Sequence, residues 1–409
     1  MRAGEIQAGT GDFGLDANTP GFLADPYPTY HALRAHDPVY RSPWGDWYLT
    51  RYADVATVLS GKPFSRLSPN GANPMSADPR KPTSIERMFT RFMIFRDPPD
   101  HTRLRGLLGR AFTPKVIQAL RPQIEALTHR LLDDAAQAAD FDLVAALSYP
   151  LPVIVISRML GIPESDYDFL KDWSGRLTKG VDTGRLEDMQ YGAEAADELG
   201  RYMADLVAAR RAAPQQDLVS EIVAAAAREG TTSDEELAAN LVMLLWAGHE
   251  TTKNLIGNGV LALLGRPDQM AALAAAPALM PTAIEEFLRF DSPVQKIVRW
   301  TTVPTALGTR TIPPGECIVV LLGAANRDPA VFSEPDRLDI RREEASNLAF
   351  GRGIHHCPGF AIARMEAEIA IGALLARTSE CRLAVDTVEW QQTTSLRGPA
   401  RLPLTVAWR

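Results

Sequence analysis

Phe350-Gly351-Arg352-Gly353-Ile354-His355-His356-Cys357-Pro358-Gly359 places a cysteine at the end of a glycine-broken loop, and an apolar, helix-like run from Phe360 to Leu375 follows at once. Pro358 has the fixed φ suited to a first helical position, so the stretch predicts Cys357 just before a helix N-terminus. The partial positive charge there favours thiolate over thiol. Gly351, Gly353 and Gly359 remove Cβ atoms where a flat ligand would lie close to the backbone. A thiolate presented to a planar ligand is what an axial haem sulfur requires, and such ligation favours O–O cleavage. A structural cysteine, a redox thiol and a zinc ligand are the competing interpretations. Zinc normally needs paired ligand spacing, and the chain has no C-x-x-C.

About a hundred residues upstream, a helix near 232–264 opens on Thr231-Thr232-Ser233-Asp234-Glu235-Glu236, with Thr232 and Glu235 spaced as a capping box. Gly265 and Pro267 supply its stop. At 1.5 Å per residue such a helix spans roughly 45 Å. Its centre, Trp246-Ala247-Gly248-His249-Glu250-Thr251-Thr252, is an odd place for glycine and β-branched residues. Met243, Ala247 and Thr251 share one stripe, and Trp246 and Glu250 an adjacent one. Small residues at 247 and 248 leave room for a diatomic molecule, and an acid followed by an alcohol can relay protons. The bland alternative is a solvated Glu250 and a Thr251 bonded back to the preceding turn. Trp246 has two equal options, facing that space or packing outward into the core.

The order F-G-x-G-x-H-x-C-x-G resembles the haem-binding signature of the cytochrome P450 family. Ala247-Gly248-His249-Glu250-Thr251 resembles the family's A-G-x-[DE]-T, and Glu286-Phe287-Leu288-Arg289 its E-x-x-R. The resemblance covers essentially the whole chain. It implies a mainly α fold with small β-sheets, the single-domain cytochrome P450 fold, with haem b between the long central helix and the cysteine loop with its following helix. It also implies Cys357 as iron ligand, Glu250 and Thr251 as catalytic proton carriers, and Ala247, Phe350, Gly351 and Gly359 beside the haem. His101, Arg105, Arg299 and His355 would clamp the two propionates, a natural use of Arg and His donors. Glu286, Arg289 and Arg337 would form a buried structural network. Substrate contacts would come from Phe92, Met93, Met243, Trp246, Val294, Ile297, Val298, Thr393 and Thr394, drawn from the 61–95, 165–195, 294–298 and 391–396 segments and the central helix. Pro358 has no N–H, so it cannot donate to the Cys357 sulfur, and fewer such bonds would lower the iron potential.

Bulk composition agrees. The 409 residues are 46% hydrophobic and 7% aromatic, enough for a large core. With 43 basic and 50 acidic side chains the net charge is −7, which argues against a nucleic-acid partner. Three cysteines cannot form a disulfide framework and suit a reducing cytoplasm. No run of eighteen apolar residues occurs, so no membrane span is expected, and the chain resembles the soluble bacterial branch. We expect one domain over 1–409, with about 1–20 a polar extension. A helix, two short strands and a second helix are expected over 27–60. A long connection covers 61–95, helices dominate 98–290, and β segments return near 297–303, 309–320 and 383–407.

No flavin, nicotinamide or iron–sulfur motif is present, so electrons would come from a separate ferredoxin or flavodoxin with its reductase. Arg103, Arg110, Lys115, Arg352 and Arg364 are candidates for its docking patch. The leading expectation is a monooxygenase that uses O₂ on a small organic substrate. A peroxide-driven peroxygenase and a non-catalytic haem-thiolate ligand-binding protein are the alternatives, and the intact acid–alcohol pair disfavours both.

Overall fold

The computed structural model describes residues 15, 19, 21–69, 83–137, 141–182, 186–344 and 346–409. Most of the expected N-terminal extension, and residues 70–82 of the expected long connection, lie outside these. The rest of that connection is more ordered than its composition suggests. It holds a strand (Phe64–Ser65), a helix (Ser84–Phe89) and a 3₁₀ turn (Met93–Phe95). The helix is started by a capping box: Thr83 accepts from the Glu86 amide, and the Glu86 carboxylate accepts from the Thr83 amide.

Helices dominate, as the periodicity predicts. The longest runs from Asp234 to Leu264. Its cap is Ser233, which accepts from the Glu236 amide at 3.1 Å, one residue beyond the expected Thr232. Thr232 is instead taken by the Arg103 guanidinium. From Leu237 to Val260 this central helix is buried at every position except Trp246, Ala247, Gly248 and Thr251. It packs on the helices Pro150–Met159, Leu186–Ala212, Met280–Phe290 and Phe360–Arg377. Among the described residues no single helix is long and apolar enough to cross a membrane.

A five-stranded sheet flanks the helices in the order Val39–Arg41, Trp47–Leu49, Cys317–Leu321, Lys296–Thr301, Phe64–Ser65. Trp47–Leu49 runs parallel to Cys317–Leu321, and the other pairs are antiparallel. Gly45, at φ +99°, makes the tight turn between the first two strands, a conformation open to glycine. Alternation sorts the sheet's two faces. Leu49, Ile318 and Val320 pack on one side, and Tyr40, Tyr48, Val319 and Leu321 on the other.

The approach to the cysteine loop is held by Glu286. Arg289 donates to both its carboxylate oxygens, at 2.6 and 2.8 Å, and Arg342 reaches them at 3.1 and 3.3 Å. The expected third member, Arg337, is instead half exposed and pairs with Glu334 and Asp339. Only its carbonyl joins the network, accepting from Arg289 at 3.3 Å. Glu285, the neighbouring acid, binds Arg364 and Asn347.

The helix Phe360–Arg377 carries one buried acid, Glu366, which is 1% exposed and has an unpartnered Oε2. Burial pushes its carboxyl up to about 8. The unfolded chain ionises a glutamic acid near 4.3, roughly. Between those values the unfolded state releases a proton that the folded state keeps, so stability falls as pH rises. The loss reaches on the order of 5 kcal/mol above pH 8, about 1.4 kcal/mol per pH unit. Urea unfolding at pH 6 and pH 8.5 should therefore show a steeper loss for the natural protein than for Glu366→Gln. Equal losses would remove this account.

Candidate haem site

The cysteine loop is closed by a backbone bond from Cys357 N to Phe350 O, 3.0 Å, and by Gly351 N to Leu348 O, 2.9 Å. Gly351 and Gly353 have φ of +69° and +74°. A Cβ on Gly353 would also stand 2.7 Å from Leu59 O, so this glycine serves a backbone approach on the helix Tyr52–Ser60 rather than a flat ligand. The following helix starts at Phe360 with Gly359 as its cap, two residues later than Pro358 predicts. This leaves Pro358 and Gly359 in a turn, and it aims the amides of Gly359 and Phe360 at the Cys357 sulfur. Pro358 removes one donor, but two remain. Burial pushes the Cys357 thiol up; those amides and the charges of Arg105 and Arg364 oppose it.

Above the loop lies an excess of positive charge. His101 and Arg299 are buried, and the rings of His101 and His355 are 4.2 Å apart. Arg66 lies in the same cluster: its Nε donates to Ile94 O at 2.7 Å, and both it and Arg299 donate to Val298 O. Burial lowers His101, with Arg105 and Arg299 adding to it. Burial and the charges of Arg299, Arg66, His101 and Arg105 drive His355 down to about 2. Burial brings Arg299 to about 10, opposed by Asp97. Asp97 is already engaged by the Ser65 hydroxyl and the Arg66 amide. The Nε2 atoms of both histidines are buried without a partner. Partnerless imidazole nitrogens, each a donor in one tautomer, beside three arginines fit a ligand with two carboxylates, which is what haem presents. Arg66 is absent from the sequence expectations. Its signal is pairing: Phe64–Ser65 forms an edge strand on Trp300–Thr301, which brings the next residue beside Arg299.

In the central helix, Thr251 donates to Ala247 O at 2.9 Å, and Ala247 is exposed in mid-helix. Gly248 does not open that space. A Cβ there would meet Ile156 at 3.3 Å, so its smallness serves helix packing. Glu250 is 3% exposed and bonded to Lys253 at 2.6 Å, not solvated. Burial alone would raise its carboxyl. The charge of Lys253 and the contacts of His249 and Lys253 outweigh that and hold it well below the usual range.

Trp246 settles between its two options. Its indole N–H donates to Thr178 at 2.9 Å, and its half-buried ring stacks on Phe89 with centroids 5.7 Å apart. Phe92, Met93 and Met243 are closed off in the core, and the partly exposed side chains beside the first two are Ile94 and Phe95. Ile297 and Val294 are partly exposed on the sheet face that holds Leu49 and Val320. Val298 points to the opposite face, against the tyrosine cluster, as alternation with Arg299 requires. Thr393 is buried, and Thr394 accepts from Lys296. Of the arginines expected in the docking patch, Arg103 is bound to Glu236 and Arg364 to Glu285. Among the described residues no cluster of three or more His, Cys, Asp or Glu forms a metal site.

Comparison with known proteins defines the class. A sequence profile described as Cytochrome P450 matches residues 67–386. The chain is 42% identical over 395 residues to the Vitamin D(3) 25-hydroxylase of Pseudonocardia autotrophica, covering 95% of each. It is 39% identical over 405 residues to the cytochrome P450 monooxygenase PikC of Streptomyces venezuelae, covering 97% of this chain and 94% of that one. Among solved structures it is similar to P450BioI in complex with a hexadec-9Z-enoic acid ligated acyl carrier protein, with TM-score 0.88 and 36% identity over 94% of this chain and 99% of that chain. These are haem-dependent oxidoreductases. The chain belongs to the cytochrome P450 family, is a monooxygenase, and takes haem b as its cofactor.

Proposed function

We propose that residues 1–409 form one catalytic unit in which Cys357 is the iron ligand and His101, Arg105, Arg299, His355 and Arg66 hold the haem propionates. The observation that carries this is the cationic cluster with two buried, partnerless imidazole nitrogens above a cysteine that receives two backbone amides. The bound haem supplies O₂ activation, placing one oxygen atom in the substrate and the other in water. The protein supplies the rest. Gly359 and Phe360 orient and stabilise the sulfur, Ala247 leaves space, and Thr251 and Glu250 relay the protons the oxygen chemistry consumes.

Partly exposed Ile94, Phe95, Val294, Ile297 and Leu396 present an apolar wall, which favours an organic substrate with an apolar body. Electrons come from a separate ferredoxin or flavodoxin with its reductase, in the cytoplasm. Around the cysteine, Ile354 is 56% exposed, and Arg110, Lys115 and Arg352 are exposed. Phe112 ties the Arg110 segment to the loop, since a Cβ on Gly359 would meet it at 3.6 Å. This face suits an acidic protein with an apolar contact at its centre.

The deciding experiment is the absorption spectrum of the dithionite-reduced protein under carbon monoxide. A strongly red-shifted Soret band is expected. A band at the position given by neutral nitrogen or thiol ligands would mean that Cys357 is not a thiolate ligand.

A further inference from the structure

Glu250 has partners that the proposed function does not use. Its Oε2 accepts from Lys253 Nζ at 2.6 Å, and Lys253, three residues on in the same helix, is only 6% exposed. The Lys253 ammonium also stands 5.7 Å over the Tyr149 ring. Gln391 reaches the same carboxylate oxygen at 3.4 Å and is itself held by Asn254 at 3.0 Å. On the other side, Glu250 Oε1 lies 3.4 Å from His249 Nε2. That nitrogen also meets the Ser174 hydroxyl at 2.6 Å, while Nδ1 faces Leu245 O at 2.6 Å. A carbonyl only accepts, so Nδ1 carries a proton and points it at Leu245 O. Meanwhile the Thr251 hydroxyl is donated to its own helix. The acid and the alcohol therefore share no bond with each other.

We infer that Lys253 is a positioning residue that clamps Glu250 as a carboxylate, away from Thr251, and so controls when the acid can take up and pass a proton. This rests on Glu250 and Thr251 as the proton carriers of the proposed function. The clamp is a buried, charge-assisted contact on an acid that burial alone would neutralise. A lysine suits the role because its ammonium is a point charge on a flexible stem, able to leave without breaking a bidentate fork. The charged and titratable groups around Glu250 are Lys253 and His249 on its own helix and Tyr149 beside the helix Pro150–Met159. Ser174 and Gln391 complete the shell as neutral groups, and Lys171 sits against the Tyr149 ring at 5.6 Å.

The test uses haem-loaded protein. Lys253→Met keeps the side-chain length and removes the charge, leaving the burial of Glu250 uncompensated. Infrared spectra between pH 5 and pH 9, recorded throughout in a Glu366→Gln background so that the buried Glu366 carboxyl contributes no band, should then show a protonated-carboxyl band in Lys253→Met that is absent from the Lys253 parent, from Lys253→Arg, and from Lys253→Met combined with Glu250→Gln. A Lys253 parent that already shows a carboxyl band lost on Glu250→Gln overturns the clamp, even if Lys253→Met does not fold. A Lys253→Met protein without the band overturns it equally. In turnover, Lys253→Met should release several-fold more hydrogen peroxide per reductant consumed than Lys253→Arg. If Glu250→Gln raises peroxide release and Lys253→Met does not, the clamp fails. If neither raises it, Glu250 as proton carrier fails, and the clamp's role with it. The carbon monoxide band, recorded on each variant, separates both results from a loss of haem ligation.

Discussion

Cys357→Ser should leave a folded protein with no red-shifted carbon monoxide band and with monooxygenase turnover at background. The substitution is nearly isosteric, and the bond from residue 357 N to Phe350 O that closes the loop does not involve the side chain. What disappears is the thiolate. Two amides and the charges of Arg105 and Arg364 act on the sulfur against burial. With haem bound, the proposed iron contact would supply the remaining stabilisation, since a metal ion ionises a coordinating thiol outright. A serine hydroxyl is a far weaker acid, so the same surroundings cannot make it an equivalent donor. The natural controls are Cys317→Ser and Cys381→Ser. Burial pushes both those thiols up, Cys381 to about 11, and each lies in a strand away from the haem loop. Their variants should keep the band. A red-shifted band in Cys357→Ser would exclude Cys357 as the ligand.

What could be read from the chain was local, and what could not was register through space. The closed loop around Gly351 and Cys357 and the helix beyond it were legible because the spacing of glycines and proline along one loop sets its turns. Glu286 and Arg289 were legible because three residues on a helix share a face. Arg342 was not, because the irregular segment that delivers it, between Asp328 and Leu348, has no period to read. Arg66 was hidden for the same reason: it reaches Arg299 only because a two-residue strand pairs with Trp300. Thr231-Thr232-Ser233 offered three caps in a row, and the tertiary contact of Thr232 with Arg103 selects among them. Gly248 shows a different limit. Its smallness was visible, but whether a small residue makes room for a ligand or for a neighbouring helix depends on Ile156, ninety-two positions away.

The second large effect is expected at Glu286. Glu286→Gln keeps the shape of the side chain and removes the one charge that two buried guanidinium groups share. The carboxylate accepts from Arg289 and Arg342 and also from the Asp339 amide at 2.8 Å. Arg289 is 2% exposed and spends its other donors on the carbonyls of Asn326, Pro335 and Arg337. It cannot swing to water without breaking all three. Arg342 is better placed, since Glu344 and the Ser333 carbonyl also hold it. Removing one partner of such a buried pair leaves a charge uncompensated, and costs roughly 3–5 kcal/mol. The damage should appear first at the haem. The carbonyls that Arg289 binds belong to the segment leading into the cysteine loop, and Asn326 also fixes that loop's entry by accepting from the Leu348 amide at 2.7 Å. Haem loss during urea titration should therefore precede the collapse of helical signal in Glu286→Gln, whereas the two coincide in the natural protein. Arg337→Leu is the discriminating control. Its side chain is 47% exposed and paired only with surface acids, contacts worth less than about 1 kcal/mol. If Arg337→Leu proved as damaging as Glu286→Gln, the network would have to be centred on Arg337 after all, and the carboxylate's bonds to Arg342 would be incidental.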